Sequence, residues 1–293
     1  MNPVTVTPEF LHLHPLPRHQ PEGDKQERGR VLVIAGSAEM PGAALLAGLG
    51  ALRAGAGILQ IATCRSAASH LGMAMPEAMV VGCRETPDGG IDPASSRRLT
   101  ELASGCDAVL IGPGMTDETA VAELTMELLK QAETPPFVLD ASAFSTLDTR
   151  DMPASCAGKI VLTPHSGEMA KFLGVPRDEV EAAPLRAARQ AAAALKAVVA
   201  LKGASTHVVL PDGAAWLCRT GSIGLATSGS GDTLAGILAG LLARGTSPAL
   251  AAIWAVYMHG EAGHRLAKRN GTFGLLAREI PGEIPTIMQE LTS

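Results

Sequence analysis

The stretch 227–243, Thr-Ser-Gly-Ser-Gly-Asp-Thr-Leu-Ala-Gly-Ile-Leu-Ala-Gly-Leu-Leu-Ala, constrains this chain more than any other. Leu234, Ile237, Leu238, Leu241 and Leu242 recur at i, i+3, i+4, i+7 and i+8, one face of a helix. Ala235, Gly236, Ala239, Gly240 and Ala243 take the other face, where a second neighbour can approach the backbone closely. Such a helix has to be buried on two sides. Just ahead of it, Gly229 and Gly231 lack the Cβ atoms that would hold a ligand away from the backbone. N–H groups at the positive end of a helix dipole make a ready phosphate site. Asp232 sits in the middle of that turn. One reading makes it a helix N-cap, an ordinary role for aspartate. The other makes it a base beside a phosphate cradle, which points to chemistry at a hydroxyl: deprotonation for phosphoryl transfer, or protonation and elimination.

The surroundings narrow the classes. With 293 residues the chain has room for one large α/β domain or two small ones. At 46% hydrophobic but 3% aromatic, its core must be built from Ala, Val, Leu and Ile. A net charge of −5 with no dense Lys/Arg stripe argues against nucleic acid as partner. The five cysteines (Cys64, Cys83, Cys106, Cys156 and Cys218) are scattered and form no CxxC, as expected of reduced thiols in a cytoplasmic protein. Charge-free runs such as 40–52 and 233–243 fall short of the roughly 18 residues a membrane span takes. No signal-peptide pattern opens the chain.

Residues 1–30 read as a lead-in with a short helix near 7–12, and 31–293 as one domain. Strands are expected at 31–35, 58–62, 78–81, 108–112, 137–140, 159–162 and 198–201, with a hairpin from 206–210 and 214–217 around Pro211-Asp212-Gly213. Helices are expected at 42–55, 93–104, 117–131, after 163–168, at 185–196, 233–243 and 248–268, and a short one at 275–280; 70–75 reads as a linker. Strands alternating with helices imply a mostly parallel sheet covered on both faces. Ser37, Pro113-Gly114, Asp140, His165 and Lys202 all follow apolar runs, so they converge on the strand-end edge where such sheets bind ligands.

Taken together, Gly36-Ser37 with Gly42-Ala43, Gly112-Pro113-Gly114, Asp140-Ala141, Thr163-Pro164-His165-x-Gly-Glu168, Lys202-Gly203-Ala204-x-Thr206 and Gly229-Ser-Gly-Asp232 resemble the ADP/ATP-dependent NAD(P)H-hydrate dehydratase family, in order, over about 25–279. The resemblance implies a ribokinase-like fold and repair of the S epimer of hydrated NADH or NADPH. In that reaction a nucleotide phosphate activates the ring hydroxyl and leaves as phosphate, ADP (or ATP) becoming AMP (or ADP). Carried over, Ala43, Gly114, His165 and Asp232 would contact the hydrated dinucleotide, while Lys202, Gly203, Ala204, Ser205, Thr206 and Gly231 would hold the adenine nucleotide. Asp232 would be the catalytic base and His165 a substrate contact rather than a metal ligand; no residue is expected to form a protein metal site. Mg²⁺ would accompany ADP or ATP. A homo-oligomer, plausibly a tetramer, and functional pairing with a separate NAD(P)H-hydrate epimerase are further implications, since 30 leading residues are too few for the epimerase domain that fused members carry.

The chain departs from the family pattern in places. Ser228 stands where Gly is usual, Ser142 where Asp is usual in Asp140-Ala-Ser-Ala-Phe144, Ser166 where Pro is usual, and Pro41 where Ser or Thr is usual. A ribokinase-like kinase of a small hydroxylated metabolite would use the same Gly-x-Gly-Asp machinery and is the alternative. A nucleotide-binding regulator without turnover is less consistent with retention of Asp232. A Rossmann dehydrogenase is set aside, because Gly55-Ala-Gly57 precedes a strand and lacks the full fingerprint.

Overall fold

The computed structural model describes residues 2–18, 24–130, 135–147 and 152–292. Its strands are β1 (Val4–Thr5), β2 (Arg30–Ile34), β3 (Ile58–Cys64), β4 (Ala78–Cys83), β5 (Ala108–Ile111), β6 (Phe137–Leu139), β7 (Ile160–Leu162), β8 (Val198–Leu201), β9 (Thr206–Val209) and β10 (Ala215–Cys218). They form one sheet in the order β1-β10-β9-β8-β7-β6-β5-β2-β3-β4, in which β9 runs against both neighbours and all other pairs are parallel. From β2 the chain winds outward through β3 and β4. From β5 it winds the other way, through β6 and β7 to β8. The switch falls between β2 and β5, the place where an open α/β sheet leaves a crevice beyond its strand ends.

Each face of the sheet is dry. Val31 and Val33 point into one core and Leu32 and Ile34 into the other, so β2 is apolar at every step, as a strand covered on both sides must be. The first core holds the helices Gly42–Arg53, Ser230–Ala243, Pro248–Asn270 and Ile280–Thr292; the second holds Ser96–Ala103, Glu118–Leu129, Ser166–Leu173 and Pro184–Leu195. The N-terminal segment packs onto the first core: Val6 N donates to Leu217 O at 2.9 Å, Leu11 is fully buried, and Trp254 Nε1 donates to His14 O at 2.9 Å.

Several elements differ from expectation, among them an edge strand, Val4–Thr5, that joins the lead-in segment to the sheet, and a short helix, Ser142–Ser145. Residues 70–75 are not a linker, because β3 runs straight into a helix, Arg65–Ala74, that buries Ala67 and Leu71. It carries no side-chain cap, and so gave no start signal. A helix Arg177–Ala182 precedes Pro184–Leu195. The last helix runs to Thr292 because Ile280, Ile284, Ile287 and Leu291 recur on one buried face; Pro281 falls in its first turn, where no helical hydrogen bond is lost, whereas Pro285 lies inside the helix and removes one that this burial outweighs. The expected helix end at Gln131 lies outside the described residues.

The central helix, Ser230–Ala243, is buried on two sides as its residue pattern requires. Its small face meets the helix Gly42–Arg53 backbone to backbone. A Cβ on Gly236 would lie 2.0 Å from Ala47 O, and one on Gly240 2.4 Å from Ala51 O. Gly236→Ala should therefore destabilise the fold by about 2–3 kcal/mol, the upper range for overpacking, since the obstacle is backbone. Chemical denaturation of the two proteins measures it; an unchanged midpoint would refute this packing.

Candidate active site

The two loops at the switch point are laced together. Gly36 N donates to Pro113 O at 2.7 Å and Gly112 N to Ile34 O at 3.3 Å. Gly114 has φ 65°, and a Cβ there would lie 2.5 Å from the Ala43 Cβ, so these two expected substrate contacts back onto each other. Only glycine fits. The turn after β6 adds a third wall. Ala141 has φ 50°, a conformation non-glycine residues rarely adopt and one that clusters at functional sites. Ser142 Oγ donates to Met115 O at 2.8 Å, a bond an ionised aspartate would be unable to make. Ser142 thus ties two of these loops together.

Behind these loops is a charge cluster. Asp140 is 3% exposed and accepts from Thr163 Oγ1 at 2.6 Å and from Lys202 Nζ at 3.1 Å. Lys202 is anchored by its own N–H, which donates to Pro164 O at 2.8 Å just past the ends of β7 and β8. Its amine lies beside Gly231, where a Cβ would be 3.2 Å from Nζ. Burial works against the charged amine, but Asp140, Glu168 and Asp232 outweigh it and hold its pKa above the ordinary value. One cation thus faces three carboxylates. Asp232 is pushed up to about 6, first by burial, then by Asp140, with Lys202 pulling the other way and Glu168 adding to the rise. The helix dipole does not keep this carboxyl at an ordinary acidity; burial and its like-charged neighbours prevail.

Asp232 is not the cap. Gly229, at φ 85°, occupies the N-cap position, and Asp232 is the third residue of the helix with no capping hydrogen bond. Thr233 N reaches Gly229 O at 3.1 Å, whereas the N–H groups of Gly231 and Asp232 meet no acceptor among the described residues. They are the free donors an anion would take. The true side-chain cap in this site is His165. Its Nδ1 accepts from Gly167 N at 2.9 Å and Glu168 N at 3.2 Å, while Glu168 Oε2 takes the His165 N–H at 2.8 Å, a reciprocal box. With Nδ1 accepting, the ring proton is on Nε2, 3.4 Å from Glu168 Oε1.

A cavity of about 1040 Å³ opens beside Lys202, lined by His165, Gly203, Ala204, Ser205, Thr206 and Gly231 among others. All six expected nucleotide contacts therefore face one space. Ala43 and Gly114 do not line it and meet each other at the switch point, while Asp232 is next in sequence to two lining residues, Ser230 and Gly231, and His165, expected to contact the dinucleotide, lines it too. Thr163, Glu168 and His259 escaped the sequence reading as site residues. Glu168 had a signal in its three-residue spacing from His165. His259, alone in an alanine-rich helix, had none.

A family model described as NAD(P)H-hydrate dehydratase matches residues 31–286. This chain belongs to the NAD(P)H-hydrate dehydratase family. It is 49% identical over 287 residues to the ADP-dependent (S)-NAD(P)H-hydrate dehydratase of Xanthomonas campestris, covering 98% of this chain and 96% of that one. A bifunctional NAD(P)H-hydrate repair enzyme of Moorella thermoacetica is 38% identical over 278 residues, which are 94% of this chain and 52% of that protein. Among solved structures, the ADP/ATP-dependent NAD(P)H-hydrate dehydratase of Bacillus subtilis co-crystallised with ATP and Mg²⁺ superposes with a TM-score of 0.85 at 33% identity, covering 99% of each chain. The dehydratase fold here is ribokinase-like, as expected.

Two outcomes follow for the dehydratase site. Asn places an oxygen where His165 has Nδ1 and Gln does not, so His165→Asn should keep the melting temperature while His165→Gln loses about 1 kcal/mol, a typical cap contribution. Equal melting of both variants would refute the capping role. Lys202→Met leaves Asp140 buried without its cation and should cost about 1–3 kcal/mol, less than a fully buried pair because the Lys202 side chain is 20% exposed. Adding Asp140→Asn should restore part of that loss, as thermal melts of the three variants would show.

Proposed function

We infer that this dehydratase restores NADH and NADPH from their S-configured hydrates, taking a phosphoryl group from an adenine nucleotide. The observation that carries the inference is the meeting of a half-buried carboxyl, Asp232, with the free N–H groups of a helix N-terminus and the Lys202 amine at the strand-end crevice. Lys202 through Thr206 and Gly231 line the nucleotide side, and Ala43 and Gly114 the dinucleotide side. A kinase of a small hydroxylated metabolite needs the same cradle, but the relatives of high identity are dehydratases.

The steps balance without a further reactant. Asp232 takes the proton of the ring hydroxyl; the hydroxyl oxygen forms a bond to the terminal phosphorus as the bond to the remaining nucleotide breaks. The carbon–oxygen bond then breaks with its electron pair leaving on phosphate, the departing phosphate takes a proton from the neighbouring carbon, and the products are the reduced cofactor, phosphate and AMP. The free N–H groups and Lys202 face the charge that develops on phosphate. ADP is the proposed co-substrate, in keeping with the Xanthomonas relative's name. No group of three or more His, Cys, Asp or Glu poised to hold a metal is present among the described residues. Mg²⁺ would enter with the nucleotide, held mostly by its phosphates and water rather than by a protein cage. His165 is proposed as a substrate contact through Nε2–H in addition to its cap. No helix among the described residues is long and apolar enough to cross a membrane; cytoplasmic location, a homo-oligomer of tetramer type and supply of the S epimer by a separate epimerase belong to the same proposal.

Recovery of NADH absorbance from its hydrate, with ADP or ATP and Mg²⁺, tests the assignment; accumulation of a stable phosphorylated product would select the kinase reading. Asp232→Asn should lower turnover by about 10²–10⁴, the range for a positioned base. A carboxyl whose folded pKa exceeds its unfolded value of 3.8 stabilises the fold below that value and loses the contribution as pH rises through about 6. Above pH 6 the ionised Asp232 is therefore a burden, and Asp232→Asn should raise stability at pH 7.5 by about 1–2 kcal/mol after discounting for solvent access. That gain should fade below pH 4. A variant that melts lower at pH 7.5 yet retains turnover would overturn both statements.

A further inference from the structure

Ser230, the first residue of the central helix, is 4% exposed, and its Oγ lies 3.0 Å from Nε2 of His259, itself 9% exposed. The same Nε2 lies 3.0 Å from the Ser230 carbonyl oxygen. A carbonyl only accepts, so Nε2 carries the ring proton and shares it between the two oxygens. The serine hydroxyl is then an acceptor towards His259, and its own proton has no acceptor among the described residues. Both side chains line the cavity that holds Lys202 and Gly231. His259 cannot swing away, because its helix is pressed against the cavity's far loop: a Cβ on Gly260 would lie 2.3 Å from Thr220 O, and one on Gly263 2.4 Å from Leu225 Cγ.

We propose that the Ser230 hydroxyl is a side-chain donor to the nucleotide's phosphates, and that His259 is the positioning residue that turns its proton into the cavity. The geometry supplies the direction: with Nε2–H occupying one lone pair, the O–H vector points away from His259, towards the space bounded by the free Gly231 and Asp232 N–H groups and the Lys202 amine. Burial keeps His259 neutral, with its pKa brought down to about 4, so the tautomer persists throughout the working range. The proposal rests on the nucleotide reading of this cavity and adds a donor, and its orienter, to it.

Calorimetry of ADP and of adenosine against the full-length protein tests it. Ser230→Ala and His259→Ala should each weaken ADP about tenfold, the effect of one hydrogen bond to a charged group, and leave adenosine unchanged. His259→Gln, which can place an N–H near the Nε2 position, should stay within about threefold of the parent for ADP. Because His259 acts through Ser230, the double alanine variant should bind ADP no more weakly than Ser230→Ala alone. Additive losses, an unaffected Ser230→Ala, or equal losses for adenosine would each overturn the proposal. Should His259→Ala fail to fold, Ser230→Ala and His259→Gln still decide it. A parent protein that binds ADP without repairing the hydrate would sink the proposed reaction and leave this test intact.

Discussion

The contact on which the rest depends is that of two helices with almost no side chains between them. Gly236 meets Ala47 and Gly240 meets Ala51, so equal steps along each chain stay in register and the two helices run the same way. Their positive ends therefore point to one edge of the sheet. Gly229 is wedged against Leu46, where a Cβ would lie 2.3 Å from Cδ1. The start of the central helix thus has no freedom to drift from the start of its partner, which carries Ala43. Everything electrostatic in the site is referred to that fixed pair of N-termini.

Given that frame, the charge balance makes chemical sense. Asp140, Glu168 and Asp232 all act on one lysine, and a site with excess negative charge would repel phosphate if those carboxylates faced it equally. They do not. Asp140 is buried and bonded to Thr163 and Lys202, and Glu168 is engaged by the His165 backbone and the imidazole. Asp232 accepts no hydrogen bond among the described residues, which leaves its lone pairs for a proton, and burial with Asp140 beside it raises its pKa to about 6. Its neighbours hold the cation in place and tune the carboxyl proposed as the base.

Much of this was legible in the chain. The two-sided helix within 227–243 and the strand-end placement of Asp140, His165 and Lys202 follow from local pattern, and the structure bears them out. What escaped was governed by distance in sequence. The helix Arg65–Ala74 has no cap and is held by burial against β3 and β4, which a local window does not see. The last helix was expected to be short, while the tertiary need to bury Ile284 and Ile287 carries it on to Thr292. Asp232 was open to two roles until Gly229 took the cap. His259 became a site residue only when a helix beginning at Pro248 passed beneath Ser230.

The arrangement also explains how a fold suited to phosphoryl transfer carries out a dehydration. The site offers a carboxyl, a set of N–H donors and a cation; none of these distinguishes a kinase from a dehydratase. The difference lies in the fate of the phosphate once it is bonded to the substrate oxygen. On an ordinary carbon it stays, as an ester. On a ring carbon whose neighbours can push electrons out, the phosphate is a far better leaving group than hydroxide, and expulsion restores the double bond. The donors that eased its arrival then face its departure, since the same negative charge develops in both steps. A dehydratase of this construction therefore needs no second catalytic apparatus for elimination. What it needs besides is a crevice that admits a dinucleotide, and the proposed wall of that crevice is made of small residues, Gly114 packed against Ala43.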